Sequence, residues 1–173
     1  MSPAPVPFLT ECTAIFQKQK LLAERAMAQV SDGDLFATLD PDANSIALIV
    51  RHMHGNMRSR WTDFLTTDGE KSDRHRDTEF EIPANLTRAD VLRWWDDGWR
   101  YVFAALDTLT ADHLTHTVTI RGQELSVMAA VLRQLDHYGQ HVGQIVLLAK
   151  HSRGAAWESL SIPRGKSEEY LRR

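Results

Sequence analysis

Apolar residues recur every three to four positions along four stretches of the chain, the spacing that gathers them on one face of a helix. The first stretch, about 8–30, aligns Phe8, Cys12, Ile15, Phe16, Gln19, Leu22, Ala26 and Val30. Ser31-Asp-Gly-Asp stops it, and the polar run from Asp40 leads to an N-cap at Asn44 or Ser45. A second helix over about 44–65 then carries Ile46, Ile49, Val50, Met53, Met57, Trp61 and Phe64 as its stripe. The third, about 87–108, opens on Thr87-Arg-Ala-Asp90, a capping box with Asp in place of Glu, and turns Leu92, Trp95, Trp99, Val102, Phe103 and Leu106 inward. The fourth, about 124–151, buries Met128, Val131, Leu132, Leu135, Tyr138, Val142, Ile145 and Ala149.

Between the second and third helices lies a polar loop, 66–86, long for a bundle connection and placed to cross over or cover a site. Alternation over Thr117-Val-Thr-Ile-Arg-Gly122 predicts one short extended stretch or hairpin arm, too little strand to change the class. The pattern as a whole predicts an all-α fold: a four-helix bundle with a long loop between helices 2 and 3. It is read as a single domain over 1–173 with a C-terminal tail, 152–173, whose last residues are expected to fray.

Composition narrows the function classes. With 43% apolar residues and a formal net charge of −3, the chain can bury a full core and lacks the basic excess of a nucleic-acid binder. The local cluster Arg51, Arg58 and Arg60 reads as a solvated helix face. Cys12 is the only cysteine, which excludes an intrachain disulfide and fits a reducing cytoplasm, with the thiol itself buried and inert. The start, through Phe8, shows no basic segment followed by an apolar one, and no stretch reaches spanning length, so neither export nor membrane insertion is expected.

Candidate chemistry lies in the histidines. His137 and His141 are four residues apart, which stacks both imidazoles on one helical face as two ligands of one metal ion would be. Tyr138 follows His137 where a zinc peptidase would carry its glutamate, so the motif lacks that general base. A third ligand can come from His52-Met-His54; these two histidines diverge by about 200° on a helix, so at most one faces the site, and periodicity does not choose between them. Asp136, Asp96 and Asp97 are candidate acceptors for imidazole N–H groups. Gly165-Lys-Ser167 invites a phosphate-loop reading, but position 160 is Leu160 and Pro163 interrupts the loop.

The runs Ser45-Ile-Ala-Leu-Ile-Val-Arg-His-Met53, Asn56-Met-Arg-Ser-Arg-Trp-Thr-Asp-Phe-Leu65, His137-Tyr-Gly-Gln-His-Val-Gly-Gln-Ile145 and the ending from Trp157 to Ser167 resemble the DinB/YfiT-like family of metal-binding four-helix bundles, in its uncharacterised DinB-like subfamily. That resemblance spans nearly the whole chain. It implies a divalent metal, zinc or nickel, held by His52, His137 and His141 with open positions, leaving His54 as an extra histidine. It also implies a homodimer acting on a small-molecule substrate, with transfer of a low-molecular-weight thiol to an electrophile. The alternatives are a non-catalytic dimeric metal-binding stress protein and a metal-dependent hydrolase.

Overall fold

The computed structural model describes residues 7–171; the start through Val6, on which the leader reading partly rests, and Arg172 and Arg173 lie outside the described residues. Helices α1 (Pro7–Met27), α2 (Asp32–Phe36), α3 (Ile46–Trp61), α4 (Arg88–Leu106), α5 (Val127–Arg153) and α6 (Ser167–Leu171) make the protein mostly helical, with little sheet. Local chemistry fixes where these elements begin. Ser45 caps α3 by accepting from the Leu48 N–H, Thr87 and Asp90 form the reciprocal capping box of α4, and Ser126 caps α5 through the Ala129 N–H. A second capping box, Ser31 with Asp34, starts the short α2 where the sequence pattern predicts only a stop.

α1 packs along α5 and α3 along α4, with further contacts from α3 to α5 and α1 to α4, so the four long helices share one apolar core. At its centre Phe16, Trp61, Trp99 and Tyr138, one from each long helix, meet with ring centroids 5.8–6.0 Å apart in the pairs Phe16–Trp61, Phe16–Trp99, Phe16–Tyr138 and Trp99–Tyr138. The Tyr138 hydroxyl accepts from Trp61 Nε1 at 3.0 Å and donates to Asn56 Oδ1 at 3.1 Å, a fully buried polar chain. Replacing Tyr138 with Phe leaves a buried donor and a buried acceptor without partners. The expected cost is about 1–3 kcal/mol, measured as a lower denaturant midpoint at unchanged m-value.

Four stripe positions differ from the sequence pattern. Ile15 is 45% exposed and Leu132 52% exposed, and Leu92 and Met128 also face solvent, whereas Leu9, Ala23, Met27, Val91, Val127 and Ala130 are buried. A helix turns by 100° per residue, so a stripe read over many turns drifts, and its flank residues fall outside the packed sector. Cys12 is buried as expected, and burial raises its thiol pKa.

The extended stretch before α5 is a complete hairpin: β1 (Thr117–Ile120) and β2 (Gln123–Ser126) pair antiparallel with Ile120 opposite Gln123. Arg121 and Gly122 both take positive φ (54° and 72°), the two-residue turn that matches strand twist. The second strand takes up the residues where the sequence pattern starts the fourth helix, and α5 instead continues to Arg153. Asp68, in the 66–86 loop, accepts from the Arg121 and Gly122 N–H groups at 2.9 and 2.8 Å, and Gly69 N–H donates to Thr119 O at 2.7 Å. Backbone donors hold the Asp68 carboxyl below the usual carboxylate range and clamp loop to hairpin. At the other end, Gln29 exchanges two hydrogen bonds with the backbone of Glu158, and Trp157 and Leu160 pack on the core. Among the described residues no helix is long and apolar enough to cross a membrane.

Candidate metal centre

α3 and α5 bring three imidazoles together. His52 projects from the second turn of α3, and His137 and His141 come from successive turns of α5. One ring nitrogen of each lies within 4.8 Å of the others. His54 is not part of this cluster: it stacks on Trp94 at 6.5 Å, on the side of α3 that faces α4. His75 is exposed, as its loop position predicts.

His52 is 6% exposed, and its Nδ1 lies 2.8 Å from Glu79 Oε2. An ionised carboxylate only accepts, so Nδ1 carries a proton, and in the neutral ring the lone pair is then on Nε2. His141 is arranged the same way, with Nδ1 2.9 Å from Gln144 Oε1 and Nε2 turned toward His137. The two Nε2 atoms of His137 and His141 stand 3.0 Å apart. Nitrogens about 2.0–2.1 Å from a common ion, at tetrahedral or octahedral angles, are separated by about 2.8–3.4 Å, so this spacing fits a shared ion. Burial, reinforced by His141 and His52, pushes the His137 pKa down to about 3. Burial likewise lowers His141. Both rings are therefore neutral at neutral pH, the form that can ligate a metal.

The loop between α3 and α4 supplies what orients His52. Its 3-10 turn, Arg76–Phe80, places Glu79 on Nδ1 and stacks Phe80 on the His52 ring at 5.1 Å. Arg74 grips Glu79 with two bonds, Nε to Oε1 at 2.7 Å and Nη2 to Oε2 at 2.9 Å. Burial alone would raise the Glu79 carboxyl, but the Arg74 and His52 hydrogen bonds outweigh it and hold the pKa below the usual range. The network continues through Glu70, which meets Arg74, Arg60 and Arg121. Arg60 is thus buried, with Nη1 on Gly69 O, and is not the solvated side chain its sequence context predicts. Asp136, Asp96 and Asp97 do not serve the imidazoles: they engage Gln140, Lys20 and Arg100.

Gly55 makes room for this carboxylate. A Cβ there would overlap Glu79 Oε1 and stand 2.7 Å from its Cδ, and Glu79 is held in place by Arg74 and His52. Ala favours a helix over Gly by about 1 kcal/mol, yet Gly55→Ala is expected to destabilise, because overpacking a filled site costs about 1–3 kcal/mol. A thermal melt that rises with the substitution would show that Glu79 moves aside freely. A glycine inside a helical pattern, one turn after a candidate ligand, is the sequence signal that could have marked the close approach. Glu79 itself, in a loop rich in charged residues, carries no such mark.

Beside the cluster opens a pocket of about 380 Å³ that reaches His52, His137, Asn56, Gln134 and several arginines. Three imidazoles and an adjacent opening, with no fourth His, Cys, Asp or Glu ligand in the cluster among the described residues, match an open site better than a closed structural one. In comparison with known proteins, a family model described as "Protein of unknown function (DUF1572)" matches residues 4–166. No curated protein matches the chain.

Proposed function

Because the chain belongs to DUF1572, a DinB-like family of unknown function, we propose that its four long helices are a DinB/YfiT-type bundle whose His52, His137 and His141 hold a divalent metal, zinc or nickel, for transfer of a low-molecular-weight thiol to an electrophilic small molecule. The observation that carries the metal reading is the convergence of three imidazoles, two of them with Nδ1 on an acceptor, and the Nε2 atoms of His137 and His141 3.0 Å apart. A nitrogen-only donor set suits either ion. Bound there, the ion would supply Lewis acidity, lowering the pKa of a thiol so that thiolate is present at neutral pH.

The chain's own residues do the positioning. Glu79 fixes the tautomer and the plane of His52, and Gln144 does so for His141. Phe80 covers one face of His52 and limits water there, while the pocket leaves the other approach open to a substrate. The Tyr138 hydroxyl, beside His137 in sequence, is spent on Trp61 and Asn56. Burial raises its pKa, so it is not a proton donor for chemistry.

The test is conjugation of a model electrophile such as 1-chloro-2,4-dinitrobenzene by protein reconstituted with zinc or nickel, with glutathione, mycothiol and bacillithiol offered in turn. Metal-dependent conjugation with one of them, lost in His52→Ala, is the expected result. Full metal loading with no conjugation by any thiol would remove the transfer reaction.

A further inference from the structure

The chain carries a net charge of −3, yet the pocket beside the imidazoles is lined by five arginines and one acid, Asp136. Three of the arginines are engaged: Arg74 with Glu79, and Arg60 and Arg121 with Glu70. Arg76 and Arg133 differ. Among the described residues neither lies within ion-pair distance of a carboxylate. Arg76 sits over the Phe80 ring at 5.1 Å, and that ring stacks on His52. Arg133 is one helical turn before His137, on the same face of α5. Asp136, three residues on, forms no ion pair with it and instead accepts from Gln140.

An exposed arginine is ordinarily just solvated. Here a separate feature of the same pocket calls for a ligand. Gln134 is 3% exposed and lines the pocket, and its buried Oε1 has no hydrogen-bond partner. An unpaired buried carbonyl costs about 1–3 kcal/mol, a cost that a ligand donor removes once the Gln134 side chain turns its oxygen toward the pocket. The pocket thus offers two guanidinium groups without a carboxylate partner, which suit carboxylate or phosphate oxygens, and, as Gln134 turns toward it, one acceptor for an N–H or O–H.

We propose that this pocket binds a small anionic molecule, its carboxylate or phosphate ester held by Arg76 and Arg133 and a hydroxyl or amide donor held by Gln134 Oε1, which sets the rest of the molecule against the imidazole cluster. The inference rests on the reading above only in taking the cluster as the place where the bound molecule reacts. A volume of about 380 Å³ admits a molecule of metabolite size. The surplus positive charge also raises the local concentration of anions around an otherwise acidic protein.

Titration calorimetry on the full chain, as purified and after chelation, with metal content measured in parallel, tests this. The probes are malate against its neutral diamide, succinate, and glycerol 3-phosphate against glycerol. Binding of malate or glycerol 3-phosphate, but not of the neutral partners, is expected, and which anion binds tells carboxylate from phosphate. In the double variant Arg76→Gln, Arg133→Gln the affinity should fall by roughly 10- to 100-fold, as expected for hydrogen bonds to charged groups. Both side chains are exposed, so the fold should survive. Gln134→Leu should erase any preference for malate over succinate, which lacks the hydroxyl.

No binding of any anion at about 10 mM, looser than the millimolar range of weak specific ligands, would overturn the inference. So would equal binding by the double variant. If that unchanged binding disappears on chelation, the anion sits on the metal, and the metal reading stands while the arginine subsite falls. Arginine-dependent binding by a chain that takes up no metal has the opposite meaning.

Discussion

His137→Ala is expected to lose bound metal, with affinity for zinc or nickel falling by about 100- to 1,000-fold. Structural zinc sites release about 10–16 kcal/mol in all, so a single ligand accounts for several kcal/mol, and a site of three has no spare. His52→Ala and His141→Ala should behave alike, because each contributes one nitrogen to the same 4.8 Å cluster. His54→Ala is the control. Its ring stacks on Trp94, away from the cluster, and metal should be retained. Competition against a chelating dye gives the affinities, and circular dichroism should show that the helices persist in each variant. Retention of metal by His137→Ala at wild-type affinity would place the ion elsewhere.

Glu79→Ala is expected to destabilise the fold by at most about 3–5 kcal/mol, the cost of breaking a buried ion pair by removing one partner, because Arg74 keeps its weaker contact with Glu70. Glu79 is 6% exposed and the Arg74 side chain 3% exposed, so little solvent reaches either charge. The same substitution frees His52 Nδ1, and loss of such an orienting acceptor lowers metal affinity by about 10- to 100-fold. Glu79→Gln separates the two effects. Its amide oxygen can still accept from His52 but does not neutralise Arg74, so most of the stability loss should remain while metal affinity recovers in part. Denaturant unfolding of chelated protein reads the first quantity and metal competition the second. An unfolding free energy for Glu79→Ala within about 0.5 kcal/mol of wild type, the range of ordinary surface changes, would mean that the buried pair is not formed in solution.

The four long helices were largely legible from their period, and two of them announce themselves a second time by a cap. Thr87 and Asp90 mark the start of α4, and Ser45 that of α3. The pairing of His137 with His141 followed from the four-residue spacing alone. Choosing His52 over His54 did not follow from periodicity, since the two flank Met53 symmetrically; that choice came from the resemblance, and the structure brings His52 to the cluster.

What stayed hidden depends on long-range placement. Glu79 reaches His52 across 27 positions, held there by Arg74, and no local pattern encodes that approach. Arg60 looked like part of a solvated cationic face because it clusters with Arg51 and Arg58; its burial is decided by Glu70 and Gly69 O, in a loop that could be read only as long and polar. The hairpin was half visible. Alternation over Thr117–Ile120 marks one strand, but Gln123–Ser126 forms the other through pairing, against residues that read equally well as the start of a helix.

The most direct measurement is the metal content of the wild-type chain, purified without an affinity tag or chelator and quantified by mass spectrometry of the metals, before and after reconstitution with zinc and nickel. Three imidazoles arranged as a ligand set should hold close to one transition-metal ion per chain. A chain that arrives without metal and takes up neither ion on reconstitution would contradict the metal centre and leave the His52, His137 and His141 cluster as a feature of packing alone.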